Sequence, residues 1–184
     1  MNGRMRTRIG TAGAVAAVVA LALCGCGGGG GGGNSQTTIN GNLRSGDQTL
    51  SDGSYVDVYS CTARDDGSAQ VDLKSSDFDS FLIVGIDNGY GKVNTITTDD
   101  NSGGGRDARA RFDVSRDVRY FVAATNADGP GRTGSYTLDF SDNLKDVTEE
   151  TGITPAVRAA AARALHDYQA QKTQTGTPQA APKP

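Results

Sequence analysis

A chain of 184 residues with 26 glycines, 6% aromatic residues and no tryptophan has room for one domain of ordinary size plus tails, built from short elements and many turns. Its formal net charge of −3 excludes nucleic acid as a partner, which needs clustered Lys and Arg to displace counterions. The scarcity of aromatic side chains argues equally against a large aromatic-lined ligand pocket.

The first 25 residues read as an export signal. Arg4, Arg6 and Arg8 form a basic start, and the apolar run from Ala12 to Leu23 follows. That run is too short for a transmembrane helix, which takes about 20 apolar residues, but suits a secretory signal. It ends in Leu23-Cys24-Gly25-Cys26, which resembles the bacterial lipobox, so Cys26 is the expected lipidated residue. Cys24 fits less well, because Leu23 would stand where that signal takes glycine or alanine. The alternative is ordinary secretory cleavage after Ala20-Leu21-Ala22. From Cys26 to residue 38 the chain is a tether, with glycine at every position from Gly27 to Gly33, then Asn34-Ser35-Gln36-Thr37-Thr38, a composition that stays flexible. The expected location is the cell envelope, held by acyl chains. In a cell with two membranes, Gly27 after the cysteine is similar to lipoproteins sent to the outer membrane.

Residues 39–142 alternate apolar and polar side chains in short runs separated by Gly, Asp, Asn and Ser clusters, the pattern of an antiparallel sandwich or barrel. Eight strands are expected, near Ile39 to Leu43, Tyr55 to Thr62, Ala69 to Leu73, Phe81 to Ile86, Lys92 to Thr97, Ala108 to Val114, Arg119 to Thr125 and Ser135 to Phe140. Ala69, Val71 and Leu73 lie on one face, as do Ala110, Phe112 and Val114, and Tyr136, Leu138 and Phe140. Once Cys24 has left with the signal and Cys26 carries lipid, Cys61 has no partner within the chain. It is either a reactive thiol or a small buried hydrophobe in its strand, and burial is the expectation. Beyond Asp142, Thr154 as N-cap and Pro155 at the first helical position open an alanine-rich helix over residues 154–170. Its stripe of Val157, Ala161, Leu165 and Tyr168 is shallow, which predicts a loosely packed appendage. Residues 171–184 are expected to be disordered.

Two acidic turns bracket the most apolar strand. Ser76-Asp77-Phe78-Asp79-Ser80 precedes it, and Thr98-Asp99-Asp100-Asn101 follows the next strand. Calcium takes six to eight oxygen ligands, and Asp77, Asp79, Asp99 and Asp100, with Asn101 and Asp87, supply such oxygens if the turns meet. The other reading is that these side chains cap their own turns through local hydrogen bonds. The helix-loop-helix calcium loop does not fit, since Ala110 stands where a bidentate glutamate belongs. Catalysis finds no support: the sole histidine, His166, lies in the terminal helix away from Cys61, and the Asp77–Asp79 pair lacks sugar-stacking aromatics around it.

Gly41-Asn42-Leu43, Tyr55-Val56-Asp57-Val58-Tyr59, Ser76-Asp77-Phe78-Asp79-Ser80-Phe81-Leu82, Asp99-Asp100-Asn101 and Gly134-Ser135-Tyr136-Thr137-Leu138, in that order and spacing, resemble the bacterial pre-peptidase C-terminal domain family. The resemblance implies an all-β, jelly-roll-like antiparallel sandwich, usually a non-catalytic module of secreted peptidases, with members that bind calcium or extracellular polymers such as collagen. Here the expectation is a lipoprotein version of the module, behind the tether in place of a peptidase domain. Its partners would be the membrane, through the anchor, and an extracellular or periplasmic protein or polymer. An accessory or inhibitory partner of a secreted peptidase or other hydrolase is the alternative function.

Overall fold

The computed structural model describes residues 36–87 and 93–175. The signal, Cys26, most of the tether and residues 176–184 lie outside the described residues. Among the described residues there are nine strands: β1 (Thr37–Leu43), β2 (Asp57–Ala63), β3 (Gly67–Lys74), β4 (Ser80–Asp87), β5 (Val93–Asp99), β6 (Ala108–Val114), β7 (Arg119–Asn126), β8 (Gly134–Phe140) and β9 (Leu144–Glu149). One helix, α1 (Pro155–Thr175), follows them.

The strands form two antiparallel sheets, ordered β1-β8-β3-β6 and β5-β4-β7-β2-β9. The order is that of one long hairpin ribbon. β4 pairs with β5, β3 with β6, β2 with β7 and β1 with β8. Wrapping that ribbon puts β1, β8, β3 and β6 in one layer and β2, β7, β4 and β5 in the other. This wrapped arrangement is a jelly roll.

Between the layers lies the main core, which includes Leu43, Tyr59, Cys61, Val71, Leu73, Phe78, Leu82, Val84, Leu138 and Phe140. A second cluster covers the other side of the five-stranded sheet, where Val56, Val58, Phe81, Ile83, Phe121 and Ala123 meet Val157, Ala161 and Leu165 of α1. The unbroken run Phe81-Leu82-Ile83-Val84 follows from this geometry. Side chains alternate across a strand, so Leu82 and Val84 fill the space between the sheets while Phe81 and Ile83 face the helix. The same holds for Tyr120 and Val122 against Phe121 and Ala123.

Three expectations need correction. First, a ninth strand, β9, adds to the free side of β2. Its core-facing residues Leu144 and Val147 are three apart, because the β2–β9 register shifts at Ser60/Thr62 and Asp146 has a φ of 55°, so period-two alternation is broken there. Second, the sandwich runs from Thr37 to Glu149, beyond both expected limits; Tyr55 pairs only in an isolated bridge with Thr49. Third, α1 is no loose appendage. Its expected stripe docks, with Leu165 1% and Ala161 2% exposed, because the bulk missing from the alanines is supplied by Phe81, Ile83 and Phe121 on the sheet. The helix is also longer than expected and reaches Thr175. At its start Thr154 Oγ1 accepts the Val157 N–H at 3.3 Å, the cap that the sequence indicates.

Candidate functional site

The acidic turns arise where the ribbon crosses between sheets. In the β3–β4 turn, Ser75 Oγ accepts the Asp77 N–H at 3.1 Å, and this tight reversal drives Phe78 into the core, where it meets Tyr136 edge-on at 6.4 Å. Asp77 Oδ2 accepts the Ser135 N–H at 2.8 Å. Only glycine fits below it: a Cβ on Gly134 would lie 2.3 Å from Asp77 Cβ. Asp99 Oδ1 accepts the N–H groups of Ser102 at 2.9 Å and Arg109 at 2.7 Å, which closes the β5–β6 loop. Asp77 and Asp99 therefore act as turn caps.

Asp79 and Asp100 turn toward the helix instead. Lys172 Nζ stands 3.7 Å from Asp79 Oδ2, and Arg106 Nε is 3.9 Å from Oδ1. Arg106 also donates to Asp128 Oδ2 at 2.7 Å, and that same oxygen accepts the Asp79 N–H at 3.0 Å. Burial raises the Asp79 pKa; Lys172 and Arg106 pull it down, whereas Asp128 and Asp100 push it up. Asp100 Oδ2 accepts a hydrogen bond from the Tyr168 hydroxyl and another from Asn101 Nδ2 at 2.6 Å. The Tyr168 pKa is raised, chiefly by burial and then by that bond.

The four carboxylates that the sequence offers to calcium thus divide into two turn caps and two helix latches. Asp87 is the last residue of β4, at the other end of that strand from Asp79. Among the described residues no group of three or more His, Cys, Asp and Glu could hold a metal ion, so the residues present do not fit a shared calcium cage.

Cys61 and His166 are kept apart. Cys61 is 1% exposed between the sheets, and burial pushes its thiol up to about 12, far from the thiolate that nucleophilic chemistry needs. The His166 side chain is 81% exposed on α1, beyond the far face of the five-stranded sheet.

A buried polar chain enters the core between the sheets. The Tyr59 and Tyr136 hydroxyls lie 2.7 Å apart, and Tyr136 donates to Asp57 Oδ2 at 2.7 Å. Burial raises the Asp57 carboxyl to about 6, with Asp47 and Glu149 adding to the rise and the Tyr136 bond and Arg44 opposing it. The Tyr136 ring covers Gly41 of β1, where a Cβ would lie 2.2 Å from it. The sequence carried a signal for this group: Asp57 shares the face of Tyr55, Tyr59 and Cys61, so an acid occupies an inward register.

The outer face of the four-stranded sheet has no helix over it among the described residues. It carries a lattice of paired polar side chains. Asp139 accepts from Thr38 Oγ1 at 2.7 Å and from Lys74 Nζ at 2.9 Å. Burial pulls the Asp139 pKa up, but these two bonds outweigh it and hold the carboxyl below its ordinary range. Asp72 accepts from Gln70 Nε2 at 2.6 Å and pairs with Arg109, and Arg111 Nε donates to Gln70 Oε1 at 2.8 Å. Asn42 and Thr137 continue the lattice onto Ser135 and Asn40. At one end a shallow groove of about 390 Å³ is lined by Gln36, Gln70, Asp72, Ser141 and Asp142. No sequence motif pointed to this face, although its residues are the polar halves of the alternating strands.

No family model matches the chain, and no curated protein matches it. Among solved structures, the pre-peptidase C-terminal domain of collagenase from Bacillus anthracis is similar over 58% of this chain and 89% of that one, at 18% identity and a TM-score of 0.43. The Yersinia pseudotuberculosis-derived mitogen is similar over 65% of this chain and 97% of that one, at 16% identity and a TM-score of 0.46. PliG of Aeromonas hydrophila, a periplasmic inhibitor of g-type lysozyme, is similar over 60% of this chain and 86% of that one, at 14% identity and a TM-score of 0.41.

Proposed function

We propose that this protein is a lipid-anchored, non-catalytic β-sandwich of the pre-peptidase C-terminal kind, displayed in the cell envelope, which binds a protein or polymer partner through the outer face of its four-stranded sheet. One observation carries the reading: α1 seals the outer face of the five-stranded sheet with Val157, Ala161 and Leu165, and this leaves the polar lattice of the other sheet as the broad uncovered surface. Side chains already held by one another present donors and acceptors without a large ordering cost on binding. The anchor rests on Leu23-Cys24-Gly25-Cys26 and the glycine run after it. Among the described residues no helix is long and apolar enough to cross a membrane.

Two experiments test it. Metabolic labelling with a fatty-acid probe should mark the wild-type chain and be lost in Cys26→Ala but kept in Cys24→Ala; labelling that survives Cys26→Ala refutes the anchor. Capture from envelope extract by the full chain, with and without chelator, should return a partner that Lys74→Glu with Arg111→Glu loses and that Arg163→Glu on the helix keeps. Capture that depends on Arg163 instead would move the binding surface to the helix. A captured hydrolase that loses activity would favour the inhibitory alternative.

A further inference from the structure

Each sheet has two edge strands, and a strand edge is a row of unpaired N–H and C=O groups that folded proteins usually blunt with charge, bulges or cover. Three of the four edges here are blunted. β6 carries Arg109, Arg111 and Asp113. β9 carries Lys145, Asp146 and Glu149, an irregular register and a residue at positive φ. β5 has a register shift against β4 at Val84/Gly85, and α1 packs against it. The remaining edge, β1, has none of these devices. Thr37-Thr38-Ile39-Asn40-Gly41-Asn42-Leu43 contains no charge and no proline, and it pairs with β8 in unbroken register from Thr37↔Phe140 to Leu43↔Gly134.

We infer that the free edge of β1 pairs antiparallel with β1 of a second copy, about a twofold axis at Asn40, and joins two four-stranded sheets into one. The residues fit that register. Asn40 meets Asn40 of the partner subunit, and Thr38 meets the partner's Asn42, all on the exposed face, so no like charges stand opposite each other. On the inner side Ile39, only half-buried, meets the partner's Gly41, over which the Tyr136 ring already lies, so an apolar side chain faces an apolar ring. One step further out, Gln36 meets the partner's Arg44 without repulsion. The pairing also merges two polar lattices into one surface, although the pairing would stand even if that surface proved not to be the binding face.

Site-specific cross-linking of the full chain tests this, in a Cys61→Ala background. In the proposed register Asn40→Cys lies opposite itself at about 4.5–5.5 Å between Cα atoms, within disulfide reach, whereas Thr38→Cys lies about 13 Å from its own copy. Mild oxidation should therefore give a dimer with Asn40→Cys and none with Thr38→Cys. Asn40→Lys should be folded but monomeric in sedimentation, with a melting temperature that no longer rises with protein concentration as that of the wild-type dimer does, and mixing it with Asn40→Asp should restore the dimer. Equal cross-linking at both positions, a monomeric wild-type chain, or an Asn40→Cys adduct to a different protein would each overturn the proposal.

Discussion

Tyr168 of α1 lies against Phe81 of β4 with ring centroids 4.7 Å apart, and its hydroxyl donates to Asp100 beyond β5. One side chain thus ties the helix to the apolar strand and to the acidic loop that follows the next one. The five-stranded sheet is consequently buried on both faces along β4 and β7, whereas among the described residues the outer face of the four-stranded sheet has no such cover.

The helix should therefore contribute to global stability. Leu165→Ala removes a side chain that is 1% exposed and should cost about 2–4 kcal/mol in chemical denaturation, as buried leucine truncations do. A loss under about 0.5 kcal/mol would mean the helix is only loosely attached.

The Asp57 carboxyl gives the fold a pH dependence of definite sign. Its pKa in the folded chain is raised from 3.8 to about 6, so the native state holds this proton more tightly than the unfolded state. Its contribution is full below the ordinary value and is lost as pH rises through about 6. Asp57→Asn, which still offers Tyr136 an acceptor, should stabilise the protein by about 1–2 kcal/mol at pH 8, and the gain should shrink as pH falls below 6. Melting curves of both proteins from pH 5 to 8 check this. Asp139, with its lowered pKa, works in the opposite sense and weakens the fold only at more acidic pH.

Cys61 should be chemically silent. A thiol that burial pushes up to about 12 should react with a thiol reagent in denaturant and hardly at all in native buffer. Labelling of the native protein at the rate of a free thiol would contradict the packing around it. Cys61→Ser should destabilise by about 1–3 kcal/mol, because it buries a hydroxyl in an apolar site.

Added calcium should leave the melting temperature unchanged. Lys172 and Arg106 already stand over Asp79 and Tyr168 bonds Asp100, so among the described residues no carboxylate cluster awaits an ion. A rise in proportion to the logarithm of calcium concentration would reveal a site and overturn this view.

Much of the sandwich was legible because its signal is local. The alternation in Ala69, Val71 and Leu73, and in Tyr136, Leu138 and Phe140, reports directly which side chains face the core. β9 was not legible, because a bulge destroys the alternation. The docking of α1 was misread because it depends on residues far away in sequence. Ala161 looks shallow alone and is well packed only beside Phe81 and Ile83. The unbroken apolar run in β4 carried the missing information, since a strand with one wet face would alternate. The roles of Asp79 and Asp100 were hidden for the same reason: their partners Lys172 and Tyr168 lie at the far end of the chain.

The sandwich has two unlike outer faces, one covered by the helix and one open, and thiol labelling reads them directly. In a Cys61→Ala background, Ile83→Cys on the face of β4 beneath the helix should resist a small thiol reagent until the protein unfolds, while Arg111→Cys on the outer face of β6 should react at the rate of a free thiol. Equal rapid reaction at both positions, or protection of position 111 with exposure of position 83, would contradict that arrangement.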